Sequence, residues 1–406
     1  MVLLSQARAA FAVLFCTTLF VSGVWSLNMQ LTRWDNKLAT LSFQDMKTFS
    51  SELRKVLEEG VVGRYVAWDA YGIIQDRLKK HEANDFAVVK AANGRLYQGG
   101  IYPLYVDNAR ILAGNIADFA EVAQEKGMKV LYLNPPDTVL KNAPPVPPEL
   151  LCRDYNPASD ALLYILREKG LPIVDSRYAF IESGFTPDEI SPSTSVQLSG
   201  KAGLALFTFL LEGLEKYFSL VLDPDHFYRN PDNYLMDLHS DFFLGELGKR
   251  SGPAFGGLNE FTAVAPAFET QFSYEFIDIT NNLRTLEGAA EDTLLNQEAL
   301  IYYENLYSLY PQSYYRPTNT SWGIIRNQLR PDGPRLLIIH DYYTTQVITH
   351  LAPLFGEIHT LAYQSNFTTS AVEYIEENSF DYVLISFTPA NLVNPLSQAI
   401  VGVVPE

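Results

Sequence analysis

The chain has 406 residues, of which 47% are hydrophobic and 19% are charged, and its formal net charge is −17. This apolar content excludes a wholly disordered chain, and the length predicts one large domain or two smaller ones. The acidic balance argues against a nucleic-acid partner, because the neutralisation of phosphates requires clustered lysines and arginines.

An apolar run fills residues 9–25, after an opening stretch, MVLLSQAR, that has one arginine. Its length and composition are typical of a signal-peptide core or a short membrane anchor. We therefore assign residues 1–27 to a signal peptide or anchor and expect an extracytoplasmic protein. The sequence leaves open whether the segment is cleaved. Cys152 is then the one cysteine of the remaining chain, which excludes an internal disulfide.

Residues 28–85 are predicted to form a helical N-terminal lead. Apolar residues recur at helical spacing between residues 43 and 80, with a break at Gly60 and Gly63. The stretch FAVVKAANGRLYQGG, residues 86–100, then predicts two strands joined by an Asn-Gly turn.

Helices and aliphatic strands alternate in the next part of the chain. Helical patterns at residues 108–126 and 159–169 each end at a glycine and precede the strands KVLYLN and LPIVD, and residues 200–218 form a long apolar helix. After residue 334 the order is strand RLLIIH, helix 344–355, strand EIHTLAY, helix 369–378 and strand FDYVLISF. Helix-stopping glycines followed by aliphatic runs indicate βαβ units. The sequence therefore predicts an α/β fold with a parallel sheet flanked by helices.

Residues 223–334 interrupt this alternation and are rich in Tyr, Phe, Asn and Pro. We predict a large aromatic-rich insertion between the two halves of the sheet, a kind of segment that often shapes a site. Its aromatic side chains could line a glycan groove or pack in a core, and we expect packing for most of them and exposure at the site for one or two. These residues are Tyr302, Tyr303, Tyr307, Tyr310, Tyr314, Tyr315 and Trp322.

Motifs for phosphate, dinucleotide and zinc binding are absent from the sequence. His226 and His239 lie near Asp225 and Asp237 and could bind a metal, but such residues in a loop more often make surface hydrogen bonds. We therefore predict neither a metal nor a cofactor.

Several stretches, taken in order, resemble one known family. They are VVGRYVAWDAY, GRLYQGG, KVLYLNPPDTVL, SDFFLGELGKRSG and RLLIIHDYYTTQVITHLAPLFGEIHTLAY. Together they are similar to the extracytoplasmic SGNH-hydrolase-like proteins of the DHHW and alginate-acetylation (AlgX/AlgJ-like) type. The resemblance implies an SGNH-hydrolase-like domain over residues 86–406. It also implies a serine nucleophile after a Gly-Asp pair, an Asp-x-His-Trp element that completes the triad, and acetyl transfer on an extracellular polysaccharide.

The sequence departs from the family pattern at these motifs. Tyr342 stands at the nucleophile position, His340 replaces the glycine, and Asp341 is kept. Ser195, Gln197 and Leu198 stand where the resemblance places the acid, the base and the tryptophan. A tyrosine with a pKa near ~10 is a poor acyl nucleophile, and loss of a triad nucleophile or base costs on the order of a million-fold in turnover. We therefore predict a lost triad.

The site prediction follows from this comparison. Asp341 and His340 are the catalytic candidates if the chain is active. The candidates for substrate binding are Tyr342, Tyr343, Ser195, Gln197 and Asn134.

Three functions are open at this point. The first is a degenerate SGNH-like protein of cell-envelope polysaccharide acylation that binds a glycan or a partner. The second is an active carbohydrate O-acetyltransferase or esterase that uses displaced residues. The third is a scaffold of a membrane acyltransferase complex. The partners expected from the resemblance are an extracellular polysaccharide, a membrane-bound O-acyltransferase, or both, with membrane association through the N-terminal segment.

Overall fold

The computed structural model describes most of the chain after residue 63. The described residues are 17, 64–100, 106–141, 151–278, 280–301, 305–341, 343–362 and 370–393. The predicted signal peptide or anchor (apart from Thr17), most of the helical lead, and Tyr302, Tyr303 and Tyr342 lie outside them. Within the described ranges no helix is both long and apolar enough to cross a membrane. The chain divides into two compact units, Met1–Ile74 and Gln75–Glu406.

The helices keep the order that the sequence predicts. They are α1 (Arg64–Arg77), α2 (Val106–Glu125), α3 (Asn156–Glu168), α4 (Ser176–Glu182), α5 (Pro187–Ile190), α6 (Gly200–Phe218), α7 (Gly248–Ser251), α8 (Pro253–Gly256), α9 (Ala290–Thr293), α10 (Thr345–Leu351) and α11 (Ala371–Glu377). Helix α10 ends earlier than the predicted residue 355, because Pro353 has no N–H to continue the hydrogen-bond ladder. Ser370 begins α11 by accepting a hydrogen bond from the Glu373 N–H at 3.2 Å.

The strands form one large sheet and two small ones. They are β1 (Glu82–Ala83), β2 (Val88–Lys90), β3 (Leu96–Gln98), β4 (Lys129–Asn134), β5 (Ile173–Asp175), β6 (Tyr234–Phe243), β7 (Asn259–Pro266), β8 (Phe272–Ile277), β9 (Leu283–Gly288), β10 (Trp322–Asn327), β11 (Arg335–His340), β12 (Glu357–Ala362) and β13 (Tyr382–Ser386). The large sheet has the order β5-β4-β13-β11-β12-β10-β8-β9. Its first five strands are parallel, which confirms the predicted α/β fold.

Both faces of the parallel strands are buried. Along β11, Leu336 and Ile338 face a core that includes α6 and α10, whereas Leu337 and Ile339 face a core that includes α2 and α3. A parallel sheet that is covered on both faces has nearly continuous hydrophobic strands. This explains why the uninterrupted run LLII was a reliable strand signal.

The segment 223–334 is more regular than the sequence suggested. It contains β6 to β10, and β10, β8 and β9 continue the large sheet in antiparallel order beyond β12. Tyr314 and Tyr315 are buried with Phe261 in a separate core, which confirms packing for these two tyrosines. Tyr307 lies in a turn over residues 305–308 and is partly buried.

Candidate functional site

Four loops meet at the carboxyl ends of β4, β11 and β13. In a parallel sheet this edge is where ligands usually bind, because the loops that follow the strands converge there. The loops enclose a small cleft with a volume of about 30 Å³. Its lining includes Asp137 after β4, Val196 before α6, Tyr343 after β11 and Thr388 after β13.

Asp341 follows β11 directly, and its carboxylate is fully buried. Oδ2 accepts hydrogen bonds from the Thr388 N–H at 2.5 Å, the Thr388 hydroxyl at 2.7 Å and the Asn391 amide at 2.9 Å. Oδ1 accepts one from the Tyr343 N–H at 3.1 Å. The hydrogen bonds of Asp341 therefore link the loop after β13 to the end of β11.

His340 is the last residue of β11 and is also fully buried. Its Nδ1 lies 2.6 Å from the carbonyl oxygen of Asp341, so Nδ1 carries a proton and donates it there. Its Nε2 has no hydrogen-bond partner among the described residues. Burial lowers the pKa of His340 below its ordinary value, so the ring is neutral near pH 7.

Ser195 and Gln197 are held by the middle segment of the chain. The Ser195 hydroxyl donates to Glu246 Oε2 at 2.9 Å, and the Val196 N–H donates to the same oxygen at 3.0 Å. The Gln197 amide donates to the Tyr310 hydroxyl at 3.5 Å. Val196, between these two residues, lines the cleft. The Ser195 hydroxyl and the Gln197 amide both donate to the middle segment, and the Ser195 oxygen also accepts from the Gln197 N–H at 3.1 Å.

Asn134 is the last residue of β4 and belongs to a different group of polar side chains. Its amide donates to Asp175 Oδ1 at 3.1 Å. Asp175 in turn accepts two hydrogen bonds from Arg177, at 2.8 and 2.7 Å. The structure therefore ties Asn134 to an ion-paired network at the end of β5. Its neighbours Pro136 and Asp137, not Asn134 itself, line the cleft.

The sequence analysis missed Asp137. Its carboxylate accepts hydrogen bonds from the N–H groups of Thr138 at 2.7 Å and Tyr155 at 3.1 Å. Burial nevertheless raises the pKa of Asp137 to about 7. The available signal was its position, since it follows Pro135 and Pro136 immediately after the strand KVLYLN, at the sheet edge where sites form.

The chemistry open to this cleft is limited by its size. A volume of about 30 Å³ holds roughly one water molecule. Within the ranges that the structure describes, no cluster of three or more His, Cys, Asp or Glu side chains could hold a metal ion. The sequence suggested His239 and Asp237 as possible metal ligands. In the structure His239 Nε2 lies 3.1 Å from Asp237 Oδ2.

Comparisons with known proteins were made for sequence and for structure. No family model matches the chain, and no curated protein matches it by sequence. A DHHW family protein from Eubacterium siraeum matches by structure with a TM-score of 0.57 and 14% identity, over 80% of this chain and 100% of that one. PatB1 from Bacillus cereus matches with a TM-score of 0.59 and 14% identity, over 77% of this chain and 99% of that one.

The chain shares its fold with the DHHW family protein and with PatB1. At 14% identity this likeness concerns the fold alone. The O-acetyltransferase domain of AlgJ from Pseudomonas putida is more distant, with a TM-score of 0.43 and 9% identity over 76% of this chain and 92% of that one. The segment with Ser195 and Gln197 lies beside the strand-end cleft, which Val196 lines. Tyr342 lies outside the described residues.

Proposed function

We propose that this chain is an extracytoplasmic SGNH-like protein of cell-envelope polysaccharide acylation that has lost its catalytic triad and acts by binding. The proposed partners are a polysaccharide, a membrane-bound O-acyltransferase, or both, with the N-terminal segment as the membrane attachment. The fold supports the SGNH-like part of this proposal, and the sequence resemblance supports the link to acylation.

One observation argues most directly for a non-catalytic site. The carboxylate of Asp341, the residue kept from the family motif, accepts four hydrogen bonds from the protein itself. A carboxylate with its lone pairs engaged in this way stabilises the fold and has little capacity left for a substrate. Ser195 is engaged by Glu246 in a similar way.

The size of the cleft supports the same conclusion. A nucleophilic mechanism needs a nucleophile and a base within hydrogen-bond reach, with room for the acyl carbonyl beside them. A cleft of about 30 Å³ leaves little room for an acetyl ester with its sugar.

A second candidate function keeps catalysis with displaced residues. The observation that favours it is Asp137, which lines the cleft near Thr388 and has a pKa raised by burial to about 7. A general base with a pKa near the working pH is well matched to proton transfer. In this case the loops would have to open to admit a substrate.

Hydrolysis of a small activated acetate ester separates the two functions. The full chain, an Asp137→Asn variant and an exposed-carboxyl control, Asp118→Asn, would be assayed beside a protein-free sample. We expect all four rates to be equal. Hydrolysis that exceeds the protein-free rate, persists in Asp118→Asn and is lost in Asp137→Asn would contradict the proposed function and establish the second candidate.

A further inference from the structure

We propose that a second cleft, at the antiparallel end of the large sheet, binds a carboxylate-bearing sugar through Arg316. We call it the Arg316 cleft. This inference deepens the proposed binding function, and it rests on that function for the choice of carbohydrate as the ligand class.

The Arg316 cleft has the volume and lining of a small-ligand site. It measures about 430 Å³, within the usual range of roughly 300–1,000 Å³ for ligand pockets. Strands β8 and β9 form one side, and Asn296 with residues 313–320 forms the other. The lining residues are Phe276, Asp278, Arg284, Thr285, Leu286, Asn296, Ser313, Arg316 and Thr320.

Arg316 is the cation of this cleft that lacks a close counter-ion. It is half-buried, and no carboxylate of the described residues lies within ion-pair distance of its guanidinium. Its Nε is buried without a hydrogen-bond partner among those residues. Glu298 acts on it only through longer-range electrostatics, and burial lowers the pKa of Arg316 from its ordinary value. Arginine remains charged in proteins, so the Arg316 guanidinium is a positive charge whose Nε–H lacks a hydrogen-bond acceptor among the described residues.

The backbone places Arg316 and Asn296 diagonally across a short antiparallel pairing, on the same face of it. The Arg316 N–H donates to the Leu294 carbonyl at 2.9 Å, and the Asn296 N–H donates to the Tyr314 carbonyl at 2.7 Å. These two bonds flank an antiparallel bridge between Leu295 and Tyr315. The backbone atoms that carry the guanidinium and the carboxamide are therefore held in place before a ligand binds. This lowers the conformational-entropy cost of binding.

The remaining polar groups of the cleft favour a hydroxylated ligand. The Ser313 hydroxyl donates to the Tyr310 carbonyl at 2.6 Å, and the Thr320 hydroxyl donates to the Pro317 carbonyl at 3.1 Å. The Ser313 oxygen keeps its acceptor capacity for a ligand O–H, whereas the Thr320 oxygen also lies 3.2 Å from the Tyr274 hydroxyl and keeps one lone pair for a ligand. The Asn296 side chain makes no hydrogen bond in the described structure, so it can donate and accept.

A sugar acid satisfies these groups together. Its carboxylate can form a bidentate pair with the guanidinium of Arg316, the geometry that arginine favours. Its ring hydroxyls match Asn296, Ser313 and Thr320, and an apolar ring face can pack on Phe276. The second cation of the cleft, Arg284, is already paired with Asp278 at 3.0 Å. Arg316 is therefore the cation of this cleft that can pair with a ligand, and it can accommodate one carboxylate.

The test uses the full chain and a matched pair of oligosaccharides. Tri-galacturonate and its methyl ester have the same ring skeleton and differ in charge, and glucose 6-phosphate tests whether phosphate replaces the carboxylate. Calorimetric titrations would compare the wild-type chain, Arg316→Gln, Asn296→Ala and a charge-matched control, Arg110→Gln. Arg110 is exposed on α2 and pairs with Asp107.

We expect tri-galacturonate to bind the wild-type chain and Arg110→Gln equally, and the methyl ester to bind at least tenfold more weakly. Arg316→Gln should weaken tri-galacturonate binding by roughly tenfold to a hundredfold, the usual loss for a charged hydrogen-bonded pair. Asn296→Ala, which keeps the charge, should weaken it less. Thermal unfolding of each variant would establish that it is folded.

Three outcomes would overturn the proposal. Equal binding of the acid and its ester would exclude recognition of charge. Unchanged affinity in a folded Arg316→Gln variant would place the binding elsewhere. Tighter binding of glucose 6-phosphate than of tri-galacturonate would replace the carboxylated sugar with a phosphorylated one. The assay is independent of ester hydrolysis, so an active esterase that binds the acid through Arg316 would refute the proposed function and leave this site standing.

Discussion

Asp341 and Asp137 are two buried carboxyl groups at the same sheet edge with different environments. Asp341 accepts four hydrogen bonds, three of them at Oδ2 from the loop after β13. For Asp137 the largest influence is burial, which raises its pKa to about 7 in spite of its hydrogen bonds with Thr138 and Tyr155. Asp341 therefore stabilises the fold through its hydrogen bonds, whereas Asp137 is a source of pH dependence.

The pKa of Asp137 predicts that this residue lowers stability as the pH rises. The folded carboxyl binds its proton up to a pKa of about 7, whereas an unfolded aspartate loses its proton near ~3.9. Between these values the folded state holds more protons, so the free energy of unfolding falls as the pH rises from about 4 to about 7, by roughly 4 kcal/mol at most. Urea unfolding of the wild-type chain and Asp137→Asn between pH 4 and pH 8 measures this contribution.

The Asp137→Asn variant should show a flatter pH profile than the wild type, because its side chain does not ionise. Asp118→Asn removes an exposed carboxyl of α2 and should keep the wild-type profile. Parallel profiles for the wild type and Asp137→Asn would show that the Asp137 carboxylate is stabilised in the folded protein by its hydrogen bonds.

Among the elements, the turn after β6 positions the segment that carries Ser195 and Gln197. Gly245 donates its N–H to the Thr194 hydroxyl at 3.0 Å, and Glu246 accepts from Ser195 and Val196. The approach is close, because a Cβ added at Gly245 would lie 2.2 Å from the Thr194 carbonyl oxygen and 2.5 Å from the Ser195 nitrogen. The absence of a side chain at this position is therefore a condition for the contact.

We expect Gly245→Ala to destabilise the protein by about 2–3 kcal/mol or more, because the added methyl group displaces backbone atoms that have no free space. The matched control is Gly114→Ala, in the interior of α2, where a Cβ would meet nothing within 4 Å. That variant should be about 0.5–1 kcal/mol more stable, since alanine favours the helix. Denaturant midpoints of the three proteins provide the comparison, and equal midpoints for the two variants would show that the Thr194 segment can shift freely.

At the scale of the whole molecule, the parallel strands are enclosed by a helical layer on each face. Leu337 and Ile338 are neighbours in β11, are both fully buried, and belong to the two different cores. Because neither face is exposed to solvent, the two cores should contribute to stability to a similar extent.

Leu337→Ala and Ile338→Ala should therefore each lower the free energy of unfolding by about 2–5 kcal/mol, through lost apolar burial and a remaining cavity. Leu329→Ala, at a side chain that is 54% exposed, should change it by less than about 0.5 kcal/mol. Urea unfolding measures all three. A large loss for one core variant and a negligible loss for the other would show that one helical layer contributes little to the stability of the sheet.

The fold was predictable from the sequence where local patterns and tertiary environment agree. Strand β11 has an uninterrupted aliphatic run, and Gly127 and Gly170 end the helices that precede β4 and β5. The middle segment was harder, because β10 pairs with β8 and β12, which are distant from it in the chain, and because β9 is an edge strand. Their mixed burial gives a weak local signal, and a stretch rich in Tyr, Asn and Pro resembles a loop when it is taken alone.

The candidate site divides in the same way. The sequence proposed Asp341 and His340 at the end of β11, and Ser195 and Gln197 before α6, because motif spacing is a local property of the chain. It did not identify their hydrogen-bond partners, Thr388 and Glu246, which lie 47 and 51 residues away. It also missed Asp137 and Arg316, since the importance of each depends on burial and on the side chains around it.

By itself the sequence determined the α/β class and the order of helices and strands, because these follow from periodicity, whereas the lost triad stays a prediction from the family resemblance. The tertiary structure decided which polar groups are already engaged and which are not. Asp341 and Ser195 are occupied by internal hydrogen bonds, whereas Arg316 faces a cleft with room for a ligand. The physical reason is that hydrogen bonds and burial depend on atoms brought together from distant parts of the chain.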